Sequence, residues 1–132
     1  MMRRAGLLNA RLSEVVARMG HLDMLVIADA GLPIPPGVEL IDLSVSRDLP
    51  RMAPVAEAVI AELAVERMVV ATELDRLGQV SMDDIRGLAP GVTLDAVSHD
   101  ELKRLSRDAV AVVRTGECSP YANVILVAGV TF

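Results

Sequence analysis

Apolar positions recur along the chain in two rhythms. Over residues 8–19 (LNARLSEVVARM), Leu8, Leu12, Val15, Val16 and Met19 fall at the spacing of one helix face, and Gly20 is placed to stop that helix. Residues 22–28 (LDMLVIA) form a dense apolar run rich in Leu, Val and Ile, which suits a strand buried on both faces. Asp29-Ala30-Gly31 ends the run, and GLPIPPG (31–37) is a proline-rich loop. Residues 38–45 alternate like a strand, 51–63 read as a helix and 65–72 as a second buried strand. The segment 73–91 is broken by Gly78, Gly87, Pro90 and Gly91, with Ser81 as cap of a short helix and Asp84 three residues on. Residues 92–97 alternate as a strand, and Ser98 is the N-cap of a helix over 99–107. A strand at 109–113, a loop at 116–123 and a last buried strand at 124–130 complete the chain. Strands that alternate with helices predict a single three-layer α/β/α domain over 1–132, with a mostly parallel, mixed sheet of about six strands.

Composition narrows the function. Apolar residues make up 52% of the 132, more than one small domain hides, so part of the apolar surface is expected between subunits. The net charge is −5, with one Tyr, one Phe and no Trp. Such a chain lacks the cationic field and the stacking platforms of nucleic-acid binders. No stretch of about 18 apolar residues is free of charge or proline, so no membrane span is expected. A single cysteine, Cys118, excludes an internal disulfide and fits a reducing compartment. Arg11 and Glu14 interrupt the first apolar stretch too early for a secretory signal, which makes the expected location cytoplasmic.

Chemistry must come from few residues. There is no GxGxxG after a strand, no GxxxxGK[ST], no paired cysteine and no HExxH. Neither a cofactor nor a metal is expected. Cys118 reads as a loop or buried thiol without an activating partner. His21 and His99 both lie at junctions between elements, and imidazole exchanges protons near neutral pH. Taken singly, a histidine at such a junction is more often a capping or packing residue. Asp29 ends a buried strand, where open α/β sheets gather ligands, but it also suits a turn bond to its own backbone before Gly31. Tyr121 and Asn123 share a polar loop with Ser119 and could recognise hydroxyl groups or anchor the loop. Lys103 follows His99 by four residues on the same helix face, where a charge is commonly just solvated.

Three blocks resemble a known family. They are LNARLSEVVARMGHLDMLVIADAGLPIP (8–35), VSHDELK (97–103) and RTGECSPYANVILVAGVTF (114–132). Together with the similar segment 54–71, they make the chain resemble the D-ribose pyranases, which are related to the fucose mutarotases. The GLPIP and ECSPYAN strings are those of the pyranase branch. The resemblance implies cofactor-free interconversion of β-D-ribopyranose and β-D-ribofuranose by acid–base ring opening and reclosure. It implies that His21 is the proton donor and that Asp29, His99, Tyr121 and Asn123 bind the sugar, with Lys103 near it. It also implies a ring-like homo-oligomer, a decamer. A mutarotase of another sugar such as fucose, or a non-catalytic sugar-binding module on the same fold, is the alternative.

Strand geometry adds an expectation of its own. Eight residues of extended chain would put His21 and Asp29 roughly 26 Å apart, too far for one ribose. A parallel arrangement puts Asp29 and His99 on one sheet edge, and an antiparallel return brings Tyr121 and Asn123 there. His21 is then alone on the opposite edge, and the site is expected to be shared between subunits.

Overall fold

The computed structural model describes residues 3–77 and 79–132. Its centre is one six-stranded sheet. In chain order the strands are β1 (Met24–Ala28), β2 (Glu39–Asp42), β3 (Val65–Ala71), β4 (Thr93–Val97), β5 (Ala111–Arg114) and β6 (Val124–Ala128). Across the sheet they run β2-β5-β1-β6-β3-β4. β6 is antiparallel to both its neighbours, β1 and β3, and the remaining pairings are parallel. The expected mixed, mostly parallel sheet is therefore present, and all six predicted strands belong to it.

Burial explains which strand lies where. β6 is buried at every position and β1 at all but its first, which is why both read as unbroken apolar runs. β2 and β4 carry exposed polar positions and take the two edges. The helices are α1 (Ala10–Arg18), α2 (Met52–Ile60), α3 (Glu73–Leu77), α4 (Met82–Leu88) and α5 (His99–Ser106). One face of the sheet packs Leu25, Ile27, Val124 and Leu126 against Leu12 and Val15 of α1, Met52 and Val59 of α2, Leu74 of α3 and Ile85 of α4. The other packs Val26, Ala28, Val112 and Ile125 against Leu102 of α5 and Leu32 of the proline-rich loop. Helices thus cover both faces in three layers.

The caps are those the sequence predicts. The Ser98 side chain accepts from the Glu101 amide, and Ser81 and Asp84 form a reciprocal capping box. Asn9, which the sequence reading placed inside α1, is its N-cap and accepts from Leu12. The sequence reading had no helix at 73–77. Leu74 is fully buried there, so packing overrides a stretch with little periodicity of its own.

Candidate active site

Because five strands run the same way and β6 runs against them, one sheet edge collects five strand C-termini and the N-terminus of β6. Asp29 follows β1, His99 follows β4, and Tyr121 and Asn123 precede β6, so these four meet at this edge. Open α/β sheets bind ligands at such an edge.

Two contacts organise it. The Asn123 side chain is fully buried. Its Oδ1 accepts from the Asp29 amide at 2.7 Å and its Nδ2 donates to Asp29 Oδ2 at 3.1 Å. Asp29 Oδ1 accepts from the Gly31 amide at 2.9 Å. The turn bond and the site contact therefore coexist, one on each carboxylate oxygen. The second contact is an edge-to-face pairing of His99 and Tyr121, with ring centroids 4.9 Å apart. β1 and β4 are three strand spacings apart, about 14 Å. Tyr121 spans part of that gap from a left-handed backbone, φ 59°, a conformation that a non-glycine residue keeps only where its surroundings require it. His99 Nδ1 is buried with no hydrogen-bond partner among the described residues.

The loop beneath is stapled by Glu117, which is 2% exposed. Its carboxylate accepts from the Met52 amide at the start of α2 and from Ser119 Oγ at 2.7 Å, and its backbone carbonyl accepts from the Ala30 amide at 2.8 Å. Asp29, Glu117 and Ser119, with Arg47, line an open depression of about 410 Å³. Cys118 is an exposed loop thiol.

Sequence reasoning missed Glu73. Both its carboxylate oxygens accept from the His99 amide at 3.1 Å, which fixes the start of α5 and with it His99. The Thr72 hydroxyl, followed by backbone amides including that of His99, holds the Glu73 carboxyl below the usual carboxylate range. An acid two residues past a buried strand was the available signal, at the sheet edge that also holds Asp29. Lys103 behaves differently from the other predicted residues. It pairs with Asp100 at 3.3 Å and lines a depression of about 460 Å³ with Pro33 and Pro36.

His21 lies at the far edge of the sheet. Its turn is pinned to the end of β6 by the Leu22 amide, which donates to the Ala128 carbonyl at 2.9 Å. The turn at His21–Leu22 shortens the expected 26 Å, but the strand from Asp23 to Asp29 still spans roughly 20 Å. His21 lines a depression of about 520 Å³ with Glu62, Gly129 and Phe132. Its Nε2 lies 2.5 Å from Glu66 Oε1, a partner the sequence reading did not identify.

The profile of the RbsD / FucU transport protein family matches residues 2–131. A D-ribose pyranase of Paracidovorax citrulli is 56% identical, over 99% of this chain and all of the relative. Bacillus subtilis RbsD, solved in complex with D-ribose, superposes with a TM-score of 0.95 at 44% identity, over 99% of this chain and 100% of that one. The fucose mutarotase of Streptococcus pneumoniae, solved with L-fucose, matches with a TM-score of 0.77 at 23% identity over 94% of each chain, a likeness of fold alone.

Proposed function

The chain belongs to the RbsD / FucU transport protein family, and we propose that it is an isomerase that interconverts β-D-ribopyranose and β-D-ribofuranose. The observation that carries this reading is 56% identity to a D-ribose pyranase over the full length of both chains. The polar, hydroxyl-recognising set at the carboxyl edge of the sheet supports it.

Ring opening of the pyranose removes the proton from O1–H, breaks the C1–O5 bond and protonates O5, leaving an open aldehyde. Reclosure adds O4 to C1, and the O4 proton passes to the carbonyl oxygen. Each half-reaction moves one proton between two oxygens, so one positioned imidazole can serve both directions. His21 takes this role. Asp29, Tyr121 and His99 hold the sugar hydroxyls, Asn123 takes part through the Asp29 carboxylate that its buried amide fixes, and Lys103 stands one helical turn beyond His99. Positioned acid–base groups contribute about 10²–10⁴-fold, enough for a reaction that already proceeds slowly in water.

His21 and the other residues lie on opposite sheet edges, so the working site combines His21 of one subunit with the carboxyl edge of another. The family resemblance implies a closed ring of identical subunits, a decamer, and such an assembly would bring the two edges together. Exposed Leu22, Leu40, Val45, Leu49, Val130 and Phe132 supply apolar surface for the contacts. The chain acts as one domain in the cytoplasm. Among the described residues no helix is long and apolar enough to cross a membrane.

Saturation-transfer NMR on equilibrated ribose tests the reading. The protein should accelerate pyranose–furanose exchange, and His21→Ala should remove most of that acceleration while ribose still binds. Full activity in His21→Ala would refute the role of His21. No acceleration by the wild-type protein would refute the function.

A further inference from the structure

The His21–Glu66 contact stands out because three local departures from regular backbone converge on it. First, His21 sits in a turn closed by the Asp23 amide donating to the Gly20 carbonyl at 3.1 Å, and Leu22 there has φ 72°. A positive φ at this turn position ordinarily selects glycine, and a leucine holds it only where the surroundings require it. Second, β3 pairs with β6 in one register at Val65 and in another from Arg67 on. Glu66 is therefore the extra residue of a β-bulge, a device that re-aims a side chain and recurs beside active sites. Third, the end of β6 lies close against that bulge. The Gly129 amide donates to the Ala64 carbonyl at 2.7 Å, and a Cβ on Gly129 would stand 3.0 Å from the Glu66 Cβ. Glycine leaves room for Glu66 where it is.

The product of these irregularities is a surface ion pair, with side chains 52% and 44% exposed. Such a pair adds little to stability, while backbone bonds from Leu22 to Ala128 and from Gly129 to Ala64 hold the turn and the bulge that bring its two members together. The orientation they impose has a chemical consequence. A carboxylate can only accept, so Nε2 carries the proton in their hydrogen bond. A neutral imidazole held this way has its lone pair on Nδ1.

Resting on the assignment of His21 as the acid–base group, we propose that Glu66 is the positioning residue of the reaction and that Nδ1 is the nitrogen that exchanges the proton with the sugar. Nδ1 takes the O1 proton as C1–O5 breaks and returns the same proton to O5. During that interval the ring is an imidazolium, and the Glu66 carboxylate faces its Nε2–H. The carboxylate thus fixes the tautomer before the step and stabilises the charge within it.

The experiment is a double-mutant cycle on ribose exchange, together with ¹⁵N NMR of the His21 ring. Glu66→Gln keeps the shape and removes the charge. It should lower kcat by about 10-fold or more and leave KM for ribose within about twofold. In the His21→Ala background, Glu66→Gln should cost nothing further, because Glu66 acts through a ring that is gone. The His21 ring should be the Nε2–H tautomer in the wild-type protein and a mixture of tautomers in Glu66→Gln. Wild-type kcat in Glu66→Gln, an equal loss with and without His21, or an Nδ1–H tautomer in the wild-type protein would each overturn the role of Glu66. Those outcomes differ from a wild-type protein without exchange activity, which would overturn the parent reading and this role with it.

Discussion

Replacing Asn123 with alanine separates the two jobs that its amide performs. The side chain is fully buried and serves one residue, accepting from the Asp29 amide and donating to the Asp29 carboxylate. Alanine leaves that amide without its partner and removes a bond to a charged acceptor. Orphaning the donor costs about 1–3 kcal/mol and a bond to a charged group contributes about 1.5–3 kcal/mol, so the expected loss is on the order of 3 kcal/mol after partial rehydration at the half-buried Asp29. For a chain of this size that lowers Tm by about 10 °C. Asn123→Asp tests the cause. It keeps the acceptor and the volume but sets a second carboxylate against Asp29 Oδ2, now 3.1 Å from the amide nitrogen. At neutral pH it should be destabilised at least as much as the alanine variant, through repulsion and not through a cavity. Urea unfolding followed by circular dichroism gives the stabilities, and saturation transfer on ribose gives the activity, which should fall at least about 10-fold in both variants through a raised KM. An alanine variant within about 1 kcal/mol of wild type that retains ribose exchange would refute the reasoning, because Asp29 would then be held by something other than this amide.

Three further outcomes are expected. His21→Ala and Asp29→Ala proteins, each of low residual activity alone, should regain part of the lost exchange activity when unfolded and reassembled together; mixed oligomers no more active than the parents would refute a site shared between subunits. Gly116→Ala should lose about 2 kcal/mol or more in urea unfolding, since its Cβ would fall 2.5–2.7 Å from the Ser46 carbonyl oxygen and from backbone atoms of Leu49, which cannot swing aside. Glu73 has a carboxyl held below its ordinary range by the Thr72 hydroxyl, so its contribution is present above the unfolded value of about 4.3 and is lost as pH falls through the folded one. Glu73→Gln should therefore flatten the decline of stability below about pH 4.3, and an unchanged acid limb would remove Glu73 as the holder of the α5 start.

Much of the fold was legible in the residues. Dense apolar runs at 22–28, interrupted only by Asp23, and at 124–130 marked the central strands, since burial on both faces favours such runs. Local capping chemistry at Ser81 and Ser98 marked helix starts, because those bonds close within three residues. The length of the extended run between them was enough to separate His21 from Asp29, and the connections before and after 109–113 placed His99, Tyr121 and Asn123 on the Asp29 edge. The partners of the site residues were not legible. Glu66 meets His21 across 45 residues of chain and Glu73 meets the His99 amide across 26, distances over which no local periodicity carries information. Glu66 read as one more polar residue at the start of a strand. Only the shift in register between β3 and β6 turned it toward His21, and that shift arises from the packing of two strands. Asp29 shows the same division in one side chain. Its turn bond to Gly31 was local and foreseeable, but its bond to Asn123, 94 residues away, was decided when β1 and β6 came to lie side by side.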